Sequence, residues 1–303
     1  MQVRVVILGS SGGLPTPERG LPAVILEGGG DLILMDCGEG TQRQMMKAGY
    51  SLCKKMKIFI THLHGDHVFG LPGMIQSMNL LNRTHPLDIY GPKGLKDFIE
   101  ETTISTMSEP NFNLSIHEVE EGEILSVKGL TVRGVWAEHS RANMSYRVTL
   151  GASQGRFIPE KARELGVPEG PCWGVLKSGK RVVLEGGKVI EPEDVLGEPV
   201  PGISVVYTGD TRYCERVVEL ARGADLLMHE ATFESDLANK AHEEGHSTAE
   251  GAARVAVASG VKKLVLTHIS SRYADAKVLE EEARRVFPNS EAAKDLAVYE
   301  LKS

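Results

Sequence analysis

Short apolar segments alternate with helical segments in both halves of the chain, and this alternation limits the fold more than any other feature of the sequence. In the first half the pattern predicts strands over residues 3–9, 23–28, 32–38 and 57–62, and helices over 41–49 and 73–82. In the second half it predicts, in order, strand 203–210, helix 215–224, strand 225–231, helix 247–260 and strand 263–268. We therefore expect two α/β layers packed face to face.

The helix predicted over 247–260 carries signals at both of its ends. Ser247 stands at the N-cap position with Glu250 three residues later, which is the spacing of a capping box. Gly260 suits the C-cap, where the backbone turns left-handed.

Composition and charge narrow the class of protein. The 303 residues contain 34 Lys and Arg against 41 Asp and Glu, a formal net charge of −7. This charge repels a polyanion at long range, so a nucleic-acid partner requires a local basic patch or metal ions. The sequence has no run of about 18 apolar residues, and its four cysteines form no CxxC pair. We expect a cytoplasmic protein that does not enter a membrane.

Residues 152–201 differ in composition from the segments on either side. They are rich in Gly, Pro and charged residues and show little apolar periodicity, so we expect a flexible arm inserted into a single domain that spans residues 1–303. Between residues 156 and 188 there are seven basic and four acidic residues. Two interpretations stay open, an ordinary solvated insertion and a protruding arm that grips an anionic partner.

The segment Thr61-His62-Leu63-His64-Gly65-Asp66-His67 follows a predicted strand directly. If the strand pleat persists, His62 and His64 point to one side, and Asp66 and His67 can turn towards a second position. Three imidazoles and a carboxylate suit zinc or a similar divalent ion. This clustering favours a metal site over isolated structural histidines.

Four ligands from one loop do not complete two metal sites, so further donors are expected at other strand ends. His139 follows a further predicted strand over residues 130–137, and Asp210 and His268 stand at the ends of the predicted strands 203–210 and 263–268. Each of them taken singly has a possible structural use, but together they indicate one metal centre at a sheet edge.

The HxHxDH segment followed by a distant His, Asp and His resembles the metallo-β-lactamase superfamily. The resemblance implies an α/β fold, the αββα sandwich of that superfamily, with a two-metal site on one edge. It implies that His62, His64 and His139 bind the first metal, that Asp66, His67 and His268 bind the second, and that Asp210 bridges them. The metals are usually Zn²⁺, two per chain, with Mn²⁺ or iron in some relatives.

More specific segments resemble the short members of the ribonuclease Z family, the endonucleases that remove the 3′ trailer from precursor tRNA. In chain order these segments are ILGSSGGLPTPERGLPA, DCGEGTQRQ, THLHGDHVFGLPG, PLDIYGPKGL, TGDTRYCE, HEATF, GHSTA and LTHISSRY. The resemblance implies a tRNA-binding arm over 152–201 and a homodimer in which one subunit presents its arm to tRNA cut by the other. The resemblance further implies that cleavage leaves a 3′-hydroxyl on the tRNA and a 5′-phosphate on the trailer. Relatives often read RN-x-S where this chain has Arg19-Gly20-Leu21-Pro22, which puts the RNA contacts of this loop in doubt.

The resemblance also assigns catalytic roles. Asp66 would orient or deprotonate the attacking water as well as bind metal, and Glu230 with His246 would form a pair that protonates the leaving 3′-oxygen. A carboxylate beside His246 favours its charged form, which suits a general acid. The alternative for Glu230 and His246 is a buried polar pair that ties two loops together.

Arg272 follows the ligand position His268 and is placed to bind phosphate with its planar guanidinium, the alternative being a structural salt bridge. Thr16 and Arg19 in the Gly-rich loop are further candidates for RNA contact.

Two other functions compete with a tRNA 3′ endonuclease. One is a metallohydrolase of small phosphodiesters or sulfate esters, in which the arm closes over the substrate; such a substrate needs no basic protrusion. The other is a non-catalytic RNA-binding or scaffolding protein, against which the seven intact candidate ligands argue.

Overall fold

The computed structural model describes residues 2–104, 109–127 and 129–302. In chain order, the strands within these ranges are β1 (Gln2–Gly9), β2 (Ser11–Gly12), β3 (Ala23–Gly28), β4 (Asp31–Met35), β5 (Met56–Phe59), β6 (Leu87–Gly91), β7 (Leu114–Glu118), β8 (Gly122–Val127), β9 (Leu130–Ala137), β10 (Asn143–Leu150), β11 (Val182–Val183), β12 (Val189–Ile190), β13 (Ile203–Tyr207), β14 (Leu226–Glu230), β15 (Leu264–Thr267), β16 (Ile269–Ser270), β17 (Ser290–Ala292) and β18 (Val298–Lys302).

Helices lie between many of these strands. In chain order they are α1 (Thr41–Lys47), α2 (Gly65–Val68), α3 (Gly70–Leu80), α4 (Leu95–Ile104), α5 (Pro159–Glu164), α6 (Pro171–Lys177), α7 (Pro192–Val195), α8 (Glu215–Ala221), α9 (Ala238–Glu244), α10 (Ala249–Ser259) and α11 (Lys277–Val286). A 3₁₀ turn over Ser235–Leu237 precedes α9. Within the described residues, no helix combines the length and the hydrophobicity needed to cross a bilayer.

The larger of two compact units contains the described residues up to Leu150 and from Ile203 onwards. Its first sheet has the order β18-β1-β3-β4-β5-β6-β7, and its second sheet has the order β17-β15-β14-β13-β10-β9-β8. Strands β4 to β7 run parallel in the first sheet, as do β13, β14, β15 and β17 in the second. Parallel strands end at a common edge, so the loops that follow them gather there.

Side-chain alternation along the strands builds three apolar layers. Val5 and Ile7 of β1 join the core that also contains Met144 and Val205 of the second sheet. The opposite face of the first sheet packs on α1, α3 and α4, and the opposite face of the second packs on α8, α10 and α11. The αββα sandwich expected from the sequence is confirmed.

Some element ends differ from the predictions. The N-cap of α10 is Thr248, whose Oγ1 accepts a hydrogen bond from Gly251 N–H at 3.1 Å, and the Ser247 capping box is wrong because Ser247 Oγ donates to Thr211 O instead. Gly260 ends this helix with φ 65°, as predicted. Strand β5 stops at Phe59, three residues before the predicted end.

The second compact unit is formed by Gly151–Gly202. It contains α5, α6, α7 and the antiparallel pair β11 and β12, and Ser153 bridges to Val200 near its two ends. Contrary to the weak apolar pattern of the sequence, it buries a small core of its own, which includes Ala162, Leu176 and Ile190. The flexibility expected for residues 152–201 stays a prediction.

Candidate metal centre

The loop after β5 brings His62 and His64 together with two residues that follow strands of the second sheet. Nδ1 of His64 lies 3.0 Å from His62 Nε2 and 3.2 Å from His139 Nε2. Oδ2 of Asp210 lies 3.5 Å from His62 Nε2 and 3.8 Å from His139 Nε2. These four atoms are close enough to one another to bind a single cation.

A second group lies beside the first and shares Asp210 with it. Oδ2 of Asp66, at the start of α2, is 3.2 Å from His268 Nε2 and 3.5 Å from His67 Nε2. Asp210 presents Oδ2 to His268 Nε2 at 3.3 Å and Oδ1 to His67 Nε2 at 3.5 Å. The structure thus brings together all seven residues that the sequence analysis named as ligands, in the two predicted groups, and metal ligation by them stays a prediction.

The buried carboxylate of Asp36, which the sequence analysis missed, orients the imidazoles of His67 and His62. Asp36 Oδ2 accepts hydrogen bonds from His67 Nδ1 at 2.7 Å and from Tyr207 Oη at 3.0 Å. Asp36 also accepts from Thr61 N–H and Oγ1, so the Thr61 hydroxyl is left to accept from His62 Nδ1 at 3.0 Å. Both rings therefore turn an Nε2 lone pair inward.

The same arrangement recurs in the second sheet. Thr232 Oγ1 donates to Glu230 Oε2 at 2.7 Å and therefore accepts from His268 Nδ1 at 2.9 Å. His139 Nδ1 donates to the Gly245 carbonyl at 2.7 Å. Asp36 directly follows β4 and Thr232 lies two residues after β14, and this position at strand ends was the available signal for these partners.

Two atoms in the middle of the site show that a cation fits there. His67 Nε2 and Asp210 Oδ1 are buried without a hydrogen-bond partner in the described chain. Burial lowers the pKa of His67, but the Asp210 and Asp36 carboxylates outweigh it and raise this pKa well above its usual range. The site therefore favours positive charge at its centre, which a divalent ion supplies.

The carboxylates of the site are held ionised. Burial alone would raise the pKa of Asp210, but the charges of His268 and His67 lower it well below its usual range. The hydrogen bond from His268 and the charge of His67 likewise outweigh burial and lower the pKa of Asp66. Both side chains are thus available as anionic ligands.

The backbone at Gly12 passes close to the His268 ring of the second group. His268 has φ 52°, an uncommon value for a non-glycine residue. A Cβ atom at Gly12 would lie 2.4 Å from His268 Nδ1. Only glycine at this position leaves room for the observed ring.

Glu230 and His246 lie in contact with each other beside these groups, and their proton-donating role stays a prediction. His246 Nδ1 lies 2.8 Å from Glu230 Oε1, and the His246 ring stacks on His268 with centroids 5.2 Å apart. Glu230 is fully buried and also accepts from Thr211 N–H at 2.9 Å. Burial lowers the pKa of His246, but the Glu230 carboxylate outweighs burial and raises this pKa to about 9.

Three candidates for RNA contact lie in different settings. Arg272 is exposed, its Cζ is 4.8 Å from the Phe233 ring centroid, and its Nε donates to Ser270 Oγ. No carboxylate pairs with Arg272 in the described chain, so the alternative of a structural salt bridge is not observed. Arg19 donates to the Tyr273 carbonyl at 2.7 Å, and Thr16 Oγ1 accepts from Arg19 N–H at 3.0 Å within their loop.

Family models match two parts of the chain. Residues 3–158 match the model described as anti-Pycsar protein Apyc1. Residues 182–269 match the model described as β-lactamase superfamily domain. Together these two matches include strands of both sheets.

Individual relatives match over nearly the full length. Ribonuclease Z of Methanothermobacter thermautotrophicus is 46% identical over 301 residues, which are 99% of this chain and 97% of that protein. Ribonuclease Z of Methanosarcina acetivorans is 43% identical over 302 residues, 99% of this chain and 98% of that protein. The crystal structure of human tRNase Z, short form, is 29% identical with a TM-score of 0.71 and 98% of each chain covered.

Proposed function

The chain belongs to the ribonuclease Z family of hydrolytic endoribonucleases, and from this membership we propose that it removes the 3′ trailer from precursor tRNA with the help of two Zn²⁺ ions. The observation that carries the proposal is the His246–Glu230 pair stacked beside a cluster of seven His and Asp side chains. The cluster suits hydrolysis of a phosphodiester, and the pair suits departure of an alkoxide.

We assign His62, His64 and His139 to the first ion, Asp66, His67 and His268 to the second, and Asp210 to both. When bound, two such ions lower the pKa of an attacking water and neutralise charge on the phosphate. Other divalent ions such as Mn²⁺ would suit the same N and O donors. The Asp66 carboxylate, held ionised by its histidine neighbours, accepts a hydrogen bond from the attacking water and orients it.

His246 supplies the proton in the proposed reaction. As water attacks phosphorus, it gives one proton to the Asp66 carboxylate, which releases it to solvent. The bond from phosphorus to the tRNA 3′-oxygen breaks, and His246 Nε2–H gives its proton to that oxygen. The products are a 3′-hydroxyl on the tRNA and a 5′-phosphate on the trailer. Glu230 keeps His246 protonated at neutral pH through the 2.8 Å contact with Nδ1, which leaves Nε2 free to face substrate.

We assign phosphate binding to Arg272. Its stacking on Phe233 orients the guanidinium, and its terminal nitrogens have no hydrogen-bond partner within the described residues. Arg binds phosphate oxygens in pairs, so it suits the charge next to the scissile bond.

The arm over 152–201 is proposed to bind the body of the tRNA. Its basic side chains fall into two groups. Arg163 pairs with Glu169 and lies over the Trp173 ring, and so serves the arm's own structure. Lys180 and Arg181, by contrast, have exposed side chains and no partner in the described part of the chain.

Replacing Lys180 and Arg181 by Ala should therefore weaken tRNA binding and lower its salt dependence, because fewer counterions are released. Cleavage of a small chromogenic phosphodiester should not change. Arg163→Ala is the matched control with one basic residue lost from the same arm. Equal losses on both substrates would contradict a role of the arm in tRNA binding.

We further propose a homodimer in the cytoplasm. Helices α1 and α3 expose the apolar side chains of Met46 and Leu80, with 68% and 75% of their surface accessible, and a subunit interface on these helices would bury them. The four cysteines are free thiols, as suits a reducing compartment. Light scattering of the purified protein should give twice the chain mass, and a monomer at micromolar concentration would contradict the dimer.

The activity is tested with precursor tRNA labelled in turn at each end. Mapping should give a cut at the 3′ side of the acceptor stem, a hydroxyl on the tRNA and a phosphate on the trailer. Hydrolysis of small phosphodiesters without tRNA cleavage would instead support the metallohydrolase alternative. Binding of tRNA without cleavage at any added metal would support a non-catalytic role.

A further inference from the structure

We propose that Asp295 is a positioning residue that holds the loop of residues 10–20 against the metal centre and through it orients Asp66. The inference rests on the metal centre of the proposed function. Asp295 lies in the connection between β17 and β18. The nearest candidate ligand in the sequence is His268, 27 positions earlier. Nothing in its sequence context indicates such a role.

The Asp295 carboxylate accepts four hydrogen bonds from three separate segments. Oδ1 accepts from Ser10 N–H at 3.0 Å and from Ser10 Oγ at 2.8 Å. Oδ2 accepts from Gly20 N–H at 2.7 Å and from Gln44 Nε2 at 2.9 Å. Ser10 and Gly20 are the two ends of the loop, so one side chain fixes both ends and joins them to α1.

The loop reaches the metal centre at its other end. Gly13 N–H donates to Asp66 Oδ2 at 2.9 Å, and this is the oxygen that faces His67 and His268. Before Gly13, β2 pairs in parallel with β16, directly after His268. The Gly13 N–H therefore orients the carboxylate oxygen that we assign to the second ion.

The segment that carries Asp295 is itself fixed. Leu296 N–H donates to Ile7 O at 2.7 Å, and Ile7 N–H donates to Ala297 O at 3.0 Å. Leu296 has φ 65°, so the backbone turns sharply next to Asp295. A carboxylate on a fixed segment holds the loop of residues 10–20 more firmly than a carboxylate on a mobile segment, because the Asp295 backbone cannot move with the loop.

Asp295→Asn tests this role with little change of shape. An amide has one acceptor oxygen, so at least one of the two sides of the carboxylate loses its hydrogen bonds. The matched control is Asp225→Asn: Asp225 accepts from Ser204 N–H at 2.7 Å and Ser204 Oγ at 3.3 Å, the same pattern as Asp295 with Ser10, on a loop without candidate ligands.

Two measurements are needed on the full chain. Amide hydrogen exchange of the protein without added metal should be at least tenfold faster over residues 10–20 in Asp295→Asn and unchanged there in Asp225→Asn. Chelator competition should show one of the two Zn²⁺ ions bound about tenfold less tightly in Asp295→Asn, and both bound as in wild type in Asp225→Asn. Gln44→Leu, which removes one of the four donors, should change both quantities in the same direction by less, and it replaces Asp295→Asn if that variant does not fold.

If residues 10–20 exchange at the wild-type rate in Asp295→Asn and Gln44→Leu, the proposal is overturned. An equally large increase of exchange in Asp225→Asn would also overturn it. Unchanged Zn²⁺ affinity with faster loop exchange would overturn the link to Asp66. Failure of the wild-type chain to bind Zn²⁺ would contradict the proposed function instead, and the exchange measurement would still decide whether Asp295 holds the loop.

Discussion

Removing His246 should slow cleavage of precursor tRNA about 10²–10⁴-fold, the usual contribution of a general acid. The contact with Glu230 keeps the proton for this step on His246. With its pKa raised to about 9 by Glu230, His246 is about a hundredfold more often protonated than neutral at pH 7. Almost every enzyme molecule therefore holds the proton that the 3′-oxygen needs, and His246→Ala deletes it.

The assay compares two substrates in single turnover. One carries the natural 3′-oxygen at the scissile phosphate, and the other carries sulfur at that position, which leaves as a thiolate and needs little protonation. The His246→Ala defect should shrink strongly on the sulfur substrate. His242→Ala, an exposed histidine of α9, is the matched control. Because sulfur changes metal affinity, each variant is compared with wild type on the same substrate and metal content is measured.

The pH dependence gives an independent check. The folded-state pKa of His246 lies above its usual 6.5, so the pair's contribution to stability is complete below pH 6.5 and is lost as pH rises through about 9. The wild-type cleavage rate should fall over the same upper range, and His246→Ala should lack that fall. Equal oxygen and sulfur defects would refute the general-acid role and leave His246 as a structural or phosphate-binding residue.

Four other substitutions test the metal centre. Asp210→Ala and His64→Ala should each lower both bound metal and turnover; full metal in Asp210→Ala by elemental analysis would remove Asp210 from the site. Gly12→Ala should weaken Zn²⁺ binding because its Cβ would lie 2.4 Å from His268 Nδ1. Gly174→Ala is the control and should not change Zn²⁺ binding, since no atom lies within 4 Å of its Cβ position. Similar Zn²⁺ affinities for both variants would show that the His268 ring can move aside. Asp36→Asn should reduce Zn²⁺ affinity about 10–100-fold through His67, as measured by chelator competition, and wild-type affinity would refute this orienting role.

The sequence predicted the parts of the site that depend only on spacing along the chain and on where strands end. Parallel strands end at a common edge, so His139, Asp210 and His268 were expected together once each was seen to follow a strand. The HxHxDH spacing likewise places four candidate ligands within one loop and the start of α2. These inferences need no knowledge of which strands pair.

Partners chosen by tertiary structure were not predictable. Asp295 and Gly20 are 275 positions apart, and only the packing of the β17–β18 connection against α1 brings them together. The choice of Thr248 over Ser247 as N-cap depends on Thr211, whose carbonyl takes the Ser247 hydroxyl. Strands β6, β7, β8 and β10 were not identified in the sequence analysis, since their register and burial are set by their neighbours in the sheets.

The central claim is that two metal ions held by these seven side chains are required to cut precursor tRNA. Titration of Zn²⁺ into metal-free protein, with binding and cleavage followed in the same samples, tests it most directly. Both signals should reach their plateau at two ions per chain. Cleavage without added metal in the presence of a strong chelator, or full cleavage at one ion per chain, would contradict the claim.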